Sequence, residues 1–412
     1  MRAQCQDGVT IANSLLYWWP SVCDCNLTLY GITSLGPAEG LVFDAAVREE
    51  DRLERAPASG TAGEAPPAVR EDPPADWNAF RADSAASGIS TATVPGKVRK
   101  LWDFALPAGA VPTAPSAAGG LIFLGASDGT VRAIDGATGA LAWKAFTGGA
   151  IRFPPSIWEG RAYAGSGDGR VVALDARTGR IIWQNNASGH LDQGAIAGVS
   201  VQGHLIIHGG KLWMAGGNAV SPAAFDLASG RCLNDPGLVN QRINNNVPAS
   251  VSPRGADLYL VAGEVMVGGQ PFYAHPQYKV YDASVIERTW VAADQERDVA
   301  WVNGSRVICL RHADGDLARK YLEHWGKMRI PGLEPIWSAE TRDGAAMARV
   351  RNAVVAAGAA EVAALDLGDG RRLWAEALSA PPVPWGLAVD RTGRVVVSLE
   401  DGRVLCFGSA QE

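Results

Sequence analysis

Long apolar runs are missing from this chain of 412 residues. None approaches the ~18 residues that a membrane-crossing helix requires, so the sequence offers no candidate transmembrane helix. Basic clusters are missing too. The 37 lysines and arginines are scattered among 43 acidic residues, with a net charge of −6, and provide no positive face for nucleic acid. Residues 1–10 hold one basic residue and no apolar core, so they do not read as a secretory signal. The expectation is a chain that lacks its true N-terminus.

Ligating residues are also sparse, with six cysteines and six histidines. Cys5, Cys23 and Cys25 form the one cysteine cluster, but no local histidine or fourth cysteine completes the four ligands of a structural metal site. Three readings stay open for them: a disulfide from Cys5 to Cys23 or Cys25 in an oxidising compartment, free thiols, or a metal site. Cys232, Cys309 and Cys406 lie in apolar strand patterns and are expected to be buried. His204 and His208 lie on one face if 203–208 is a strand, but without a third ligand ordinary sheet packing is the better expectation.

What is plentiful is glycine, 48 residues, above the usual ~7%. The excess fits many tight turns, and it recurs with a period. The run Asp128–Trp143 is echoed at Asp168–Trp183, an interval of about 40 residues that marks one supersecondary unit used repeatedly. Asp128-Gly129 and Asp168-Gly169 are hairpin signals, because glycine supplies the positive φ such turns need. An alternating strand follows, with Val131 and Ala133 on one face and Arg132 and Ile134 on the other. A Thr-Gly turn and a short strand ending on Trp143 or Trp183 complete the unit. Weaker copies run through Asp226 to Gly230 and through Asp366 to Trp374, and a last hairpin, 397–407, precedes the chain's end. Trp301–Leu310 reads as a hairpin piece and Leu317–Trp325 as a short helix.

An antiparallel meander per repeat is a propeller blade, and the predicted fold class is all-β: a seven- or eight-bladed β-propeller with a short N-terminal strand pair and a disordered linker. Residues 76–412 are the propeller. Residues 37–75, rich in Ala, Pro, Glu and Arg, read as the linker. Residues 1–36 hold two strands, Leu15–Trp18 and Leu27–Gly31. They are either the remnant of an upstream module or strands that complete the unfinished last blade. The tryptophans are expected to fill the wedge between neighbouring sheets. Asp135, Asp175, Asp226 and Asp366 share one repeat position, where a carboxylate accepts backbone N–H groups and fixes the turn.

The repeats at Asp128–Trp143 and Asp168–Trp183 resemble those of the PQQ-binding-like, quinoprotein-type propellers, a group that includes the outer-membrane assembly lipoprotein. Asp76-Trp77-Asn78-Ala79-Phe80-Arg81 through Ser87-Gly88 resembles the opening of such a propeller. The resemblance implies a non-catalytic, extracytoplasmic binding or assembly scaffold with protein partners. The alternative it implies is a PQQ-dependent alcohol or sugar dehydrogenase. In those enzymes the quinone stacks between a Trp and a disulfide of adjacent cysteines, with a Ca²⁺ held by Glu, Asn and Asp. This chain has no adjacent cysteine pair, and Asn244-Asn245-Asn246 has no acidic motif beside it. No catalytic residue is therefore assigned. Ligand-binding candidates are Arg152 and Trp385, near two of the stretches where inner strands begin: Phe153-Pro154-Pro155-Ser156 and Pro381–Trp385.

Overall fold

A computed structural model of the chain describes residues 9–18, 33–35, 53–56, 76–186, 201, 203–216, 220–233, 258–261, 264–267, 290–294, 299–303, 306–312, 333–341 and 344–409. Every regular element among them is a strand, and every paired strand is antiparallel. The fold is a β-propeller. The first blade contains Ser116–Ala118, Leu121–Leu124, Thr130–Asp135 and Leu141–Phe146, in that order from the axis outward. The second repeats it with Ser156–Trp158, Arg161–Gly165, Arg170–Asp175 and Ile181–Asn186. Further sheets follow at 206–226, 258–267, 290–340 and 346–377.

The closing blade takes three strands from the end of the chain, Pro382–Val389, Val395–Leu399 and Arg403–Ser409. Its outer strand is Val98–Ala105, which runs antiparallel along 403–409. The unfinished last hairpin is thus completed from the start of the propeller, not by residues 1–36. Those residues instead form a three-stranded sheet of Val9–Ala12, Leu15–Trp18 and Thr33–Leu35; the strand expected at 27–31 lies outside the described residues. The stretch expected as linker contains a strand. Leu53–Arg55 adds to the outer edge of the second blade, with Trp183 opposite Arg55 and Gln184 opposite Glu54. The Ala56 N–H donates to the Ile182 carbonyl at 3.0 Å, and Gln184 Nε2 donates to Glu54 at 2.6 Å. The short helix expected at 317–325 lies outside the described residues, whereas 299–303 and 306–312 pair as the expected hairpin.

Neighbouring blades are fastened by tryptophan. Trp102 Nε1 donates to the Gly136 carbonyl at 2.9 Å, Trp143 to Ala176 at 3.0 Å and Trp183 to Leu227 at 3.1 Å. Trp337 donates to Leu367 at 3.0 Å. Each indole lies on the turn of the next blade, against a glycine. A Cβ on Gly179 would stand 2.4 Å from Trp143 Cε3, and Gly139, Gly230 and Gly370 meet Trp102, Trp183 and Trp337 in the same way. The turn itself is fixed by the repeat aspartate. Asp175 accepts the N–H groups of Arg177 and Thr178 and the Thr178 hydroxyl, and Asp135 does the same one blade earlier. These bonds, with the Thr138 hydroxyl foremost, hold the Asp135 carboxyl below its usual range. In the closing blade no such turn joins the third strand, Arg403–Ser409, to the outer strand, because Val98–Ala105 comes from the start of the propeller; Trp374 donates instead to the Pro95 carbonyl at 2.9 Å.

Both faces of the third strand are covered by the blades on either side. Val131, Arg132, Ala133 and Ile134 are all buried, and Arg132 is neutralised by Asp128 in a bidentate pair. Cys232, Cys309 and Cys406 are buried and form no disulfide among the described residues.

Candidate functional site at the hub

The innermost strand of a blade leaves one row of backbone groups facing the axis, and these need partners. Residues 76–94 supply them. Trp77 and Ala117 exchange N–H···O bonds of 3.0 and 2.7 Å on the first blade. The Asn78 carbonyl accepts from Ile157 on the second at 2.7 Å, and Ser84 Oγ accepts from Ile207 on the third at 3.4 Å. Across the ring the Gly88 carbonyl accepts from Arg349, and Ser90 donates to the Arg349 carbonyl, both at 2.8 Å. Ala92 and Val94 bond Arg351 and Asn352. The segment therefore runs along the inner edges of four blades, inside the hub. Asp83 folds it by accepting from Ala85 and Ser87. Arg81, Ala82 and Ala86 hold positive φ without being glycine, a conformation that persists only where surroundings enforce it.

At the centre sits Phe80, 6% exposed. Its ring meets Phe153 edge-on (centroids 5.1 Å, 88°), Trp385 edge-on (5.0 Å, 83°) and His204 at 4.9 Å. Each comes from a different element: Phe153 and His204 lie just before the inner strands of the second and third blades, and Trp385, at φ +55°, lies in the closing blade's inner strand. Ser116 Oγ donates to Pro155 and Ser156 Oγ to Leu205, which locks those stretches side by side. Burial, reinforced by the Arg81 charge, drives the His204 pKa down to about 4. The imidazole is neutral at pH 7, and its Nε2 is buried with no hydrogen-bond partner among the described residues.

Of the two candidates named from sequence, Trp385 belongs to this aromatic group, while Arg152 is exposed one residue before Phe153. Phe80, Phe153 and His204 share no sequence signal that would group them. The strand expected at 203–208 begins only at Ile206, so His204 and His208 do not share its face. His204 turns into the hub, while His208 ends the strand with its carbonyl accepting from Trp213 Nε1. Cys5, Cys23 and Cys25 lie outside the described residues, as does Asn244–Asn246. Among the described residues no three His, Cys, Asp or Glu side chains gather closely enough to hold a metal ion.

A planar quinone needs parallel walls, and a calcium beside it needs carboxylates. Phe153 and Trp385 stand edge-on to Phe80 and the His204 ring is tilted 36° to it, and no carboxylate cluster accompanies them among the described residues. The described hub residues do not fit that pair.

A family model described as "Outer membrane protein assembly factor BamB" (PQQ_2) matches residues 92–321. No curated protein matches the chain. Similar solved structures include the quinohemoprotein alcohol dehydrogenase ADHIIG from Pseudomonas putida HK5, 12% identical over 82% of this chain and 81% of that one, TM-score 0.51. A europium-containing methanol dehydrogenase is 12% identical over 82% and 99%, TM-score 0.51. Both likenesses establish the fold and nothing beyond it.

Proposed function

Because the chain belongs to the PQQ_2 family of outer membrane protein assembly factor BamB, we propose that it is a non-catalytic propeller that binds protein partners outside the cytoplasm. The observation that supports this reading is the filled hub. Residues 76–94 run along the inner edges of four blades, and Phe80 is buried among Phe153, His204 and Trp385. The remaining assets are a rigid ring and loops and edges at its surface, which suit partner binding. Purified protein mixed with PQQ and Ca²⁺ and offered alcohols and sugars should leave a redox dye unreduced, and should not quench or shift the quinone's absorbance. Quinone-dependent turnover would overthrow the reading in favour of the dehydrogenase.

A further inference from the structure

The outer edge of the second blade already holds a guest, the strand Leu53–Arg55. The outer edge of the first blade is its repeat counterpart, and among the described residues no strand covers it. The register between 130–135 and 141–146 assigns the inward bonds to Trp143 and Ala145, so the N–H and C=O of Ala142, Lys144 and Phe146 point outward. Ala142 corresponds to Ile182, whose carbonyl accepts from the guest strand. Leu141 is 43% and Phe146 67% exposed.

We propose that the 141–146 edge docks an extended segment of a partner protein as an added antiparallel strand, selecting an apolar residue followed by an acidic one. The docked strand on the second blade specifies the pattern. Glu54 lies opposite Gln184, and the residue in Gln184's place on the first blade is Lys144, which is exposed and turns that hydrogen bond into an ion pair. Leu53 lies opposite Asn185 and packs against the core cluster that contains Trp183; its counterpart would lie opposite Ala145, on the face that carries Trp143. Arg55 Nε donates to the Ser229 carbonyl in the next blade's turn, at 3.1 Å, and the matching turn residue for the first blade is Thr178. Main-chain bonds supply affinity and the three side-chain positions supply choice.

The inference rests on the scaffold reading, and its test is separate from that of the hub. A fluorescein-labelled peptide copying residues 50–58 is titrated with the whole protein by anisotropy. The intact protein should bind it. Lys144→Glu should weaken binding about tenfold, and a peptide carrying Glu54→Lys should recover the loss, as expected for one ion pair in register. Lys144→Pro removes an outward N–H without touching the inward ladder and should abolish binding of both peptides; if that variant does not fold, the charge swap decides alone. No binding, binding indifferent to both substitutions, or a loss that the swapped peptide does not recover would each overturn the proposal. Those results would leave the filled hub as it stands, while quinone turnover would remove the scaffold reading and leave the peptide result standing.

Discussion

Gly179 offers a measurement of how strongly one blade is fastened to the next. Its φ is +71°, and a Cβ there would lie 2.4 Å from Cε3 and 2.6 Å from Cδ2 of Trp143. Gly120 has a similar φ of +84° and nothing within 4 Å of the same position. Alanine at either site must adopt a left-handed backbone, which costs about 1–2 kcal/mol. At Gly120 the effect ends there. At Gly179 the indole must also move. That forfeits its 3.0 Å bond to the Ala176 carbonyl, about 1 kcal/mol, and overpacks a closed interface, about 1–3 kcal/mol. Gly179→Ala should therefore destabilise the protein by roughly 2–4 kcal/mol more than Gly120→Ala. Urea unfolding followed by circular dichroism measures both. In a Trp143→Leu background the two alanine substitutions should converge, since the shared obstacle is gone. Equal unfolding midpoints for Gly179→Ala and Gly120→Ala in the native background would refute tryptophan seating as the inter-blade fastener.

Two further outcomes are expected. His204 is neutral in the folded hub with a pKa of about 4 against 6.5 unfolded, so the unfolded chain takes up the extra proton. Its contribution is fully present above about pH 6.5, is lost as pH falls toward 4, and amounts to roughly 2 kcal/mol lost by pH 5. Urea midpoints of the native protein and His204→Phe, compared at pH 8 and pH 5, should show the smaller acid loss in the variant; parallel losses would contradict it. Asp175→Ala strips three hydrogen bonds from the turn under Trp143 and should lower stability by about 1–2 kcal/mol, whereas Asp175→Asn, which keeps an acceptor, should lose less in the same unfolding assay.

The repeat was legible because its signals are local. Asp135 and Thr138 make their turn within four residues, and a hairpin at Asp128-Gly129 needs no distant partner. What escaped was carried by distant contacts. That Trp143 aims its N–H at a particular carbonyl depends on a blade 33 residues on, and Trp374 finds its acceptor 279 residues back. Alternation along 131–134 suggested two faces but not that both would be covered, since only the ring supplies the second cover. Leu53–Arg55 sits in a stretch whose composition argues against order, and it is ordered by the edge it meets. In the hub, Phe80, Phe153, His204 and Trp385 are scattered along the sequence and look like ordinary apolar and loop residues until the inner strands converge.

The pairing of Val98–Ala105 with Arg403–Ser409 ties assembly to the order of synthesis. The outermost strand of the final sheet leaves the ribosome before any of its companions, and it waits through the making of every other blade. Closure is thus a late, long-range event of the kind that folds slowly and leaves unmatched edges open meanwhile. A nascent chain stalled short of residue 403 would hold its blades in an open arc, with Trp102 seated on one side only, and would be the species most in need of a chaperone.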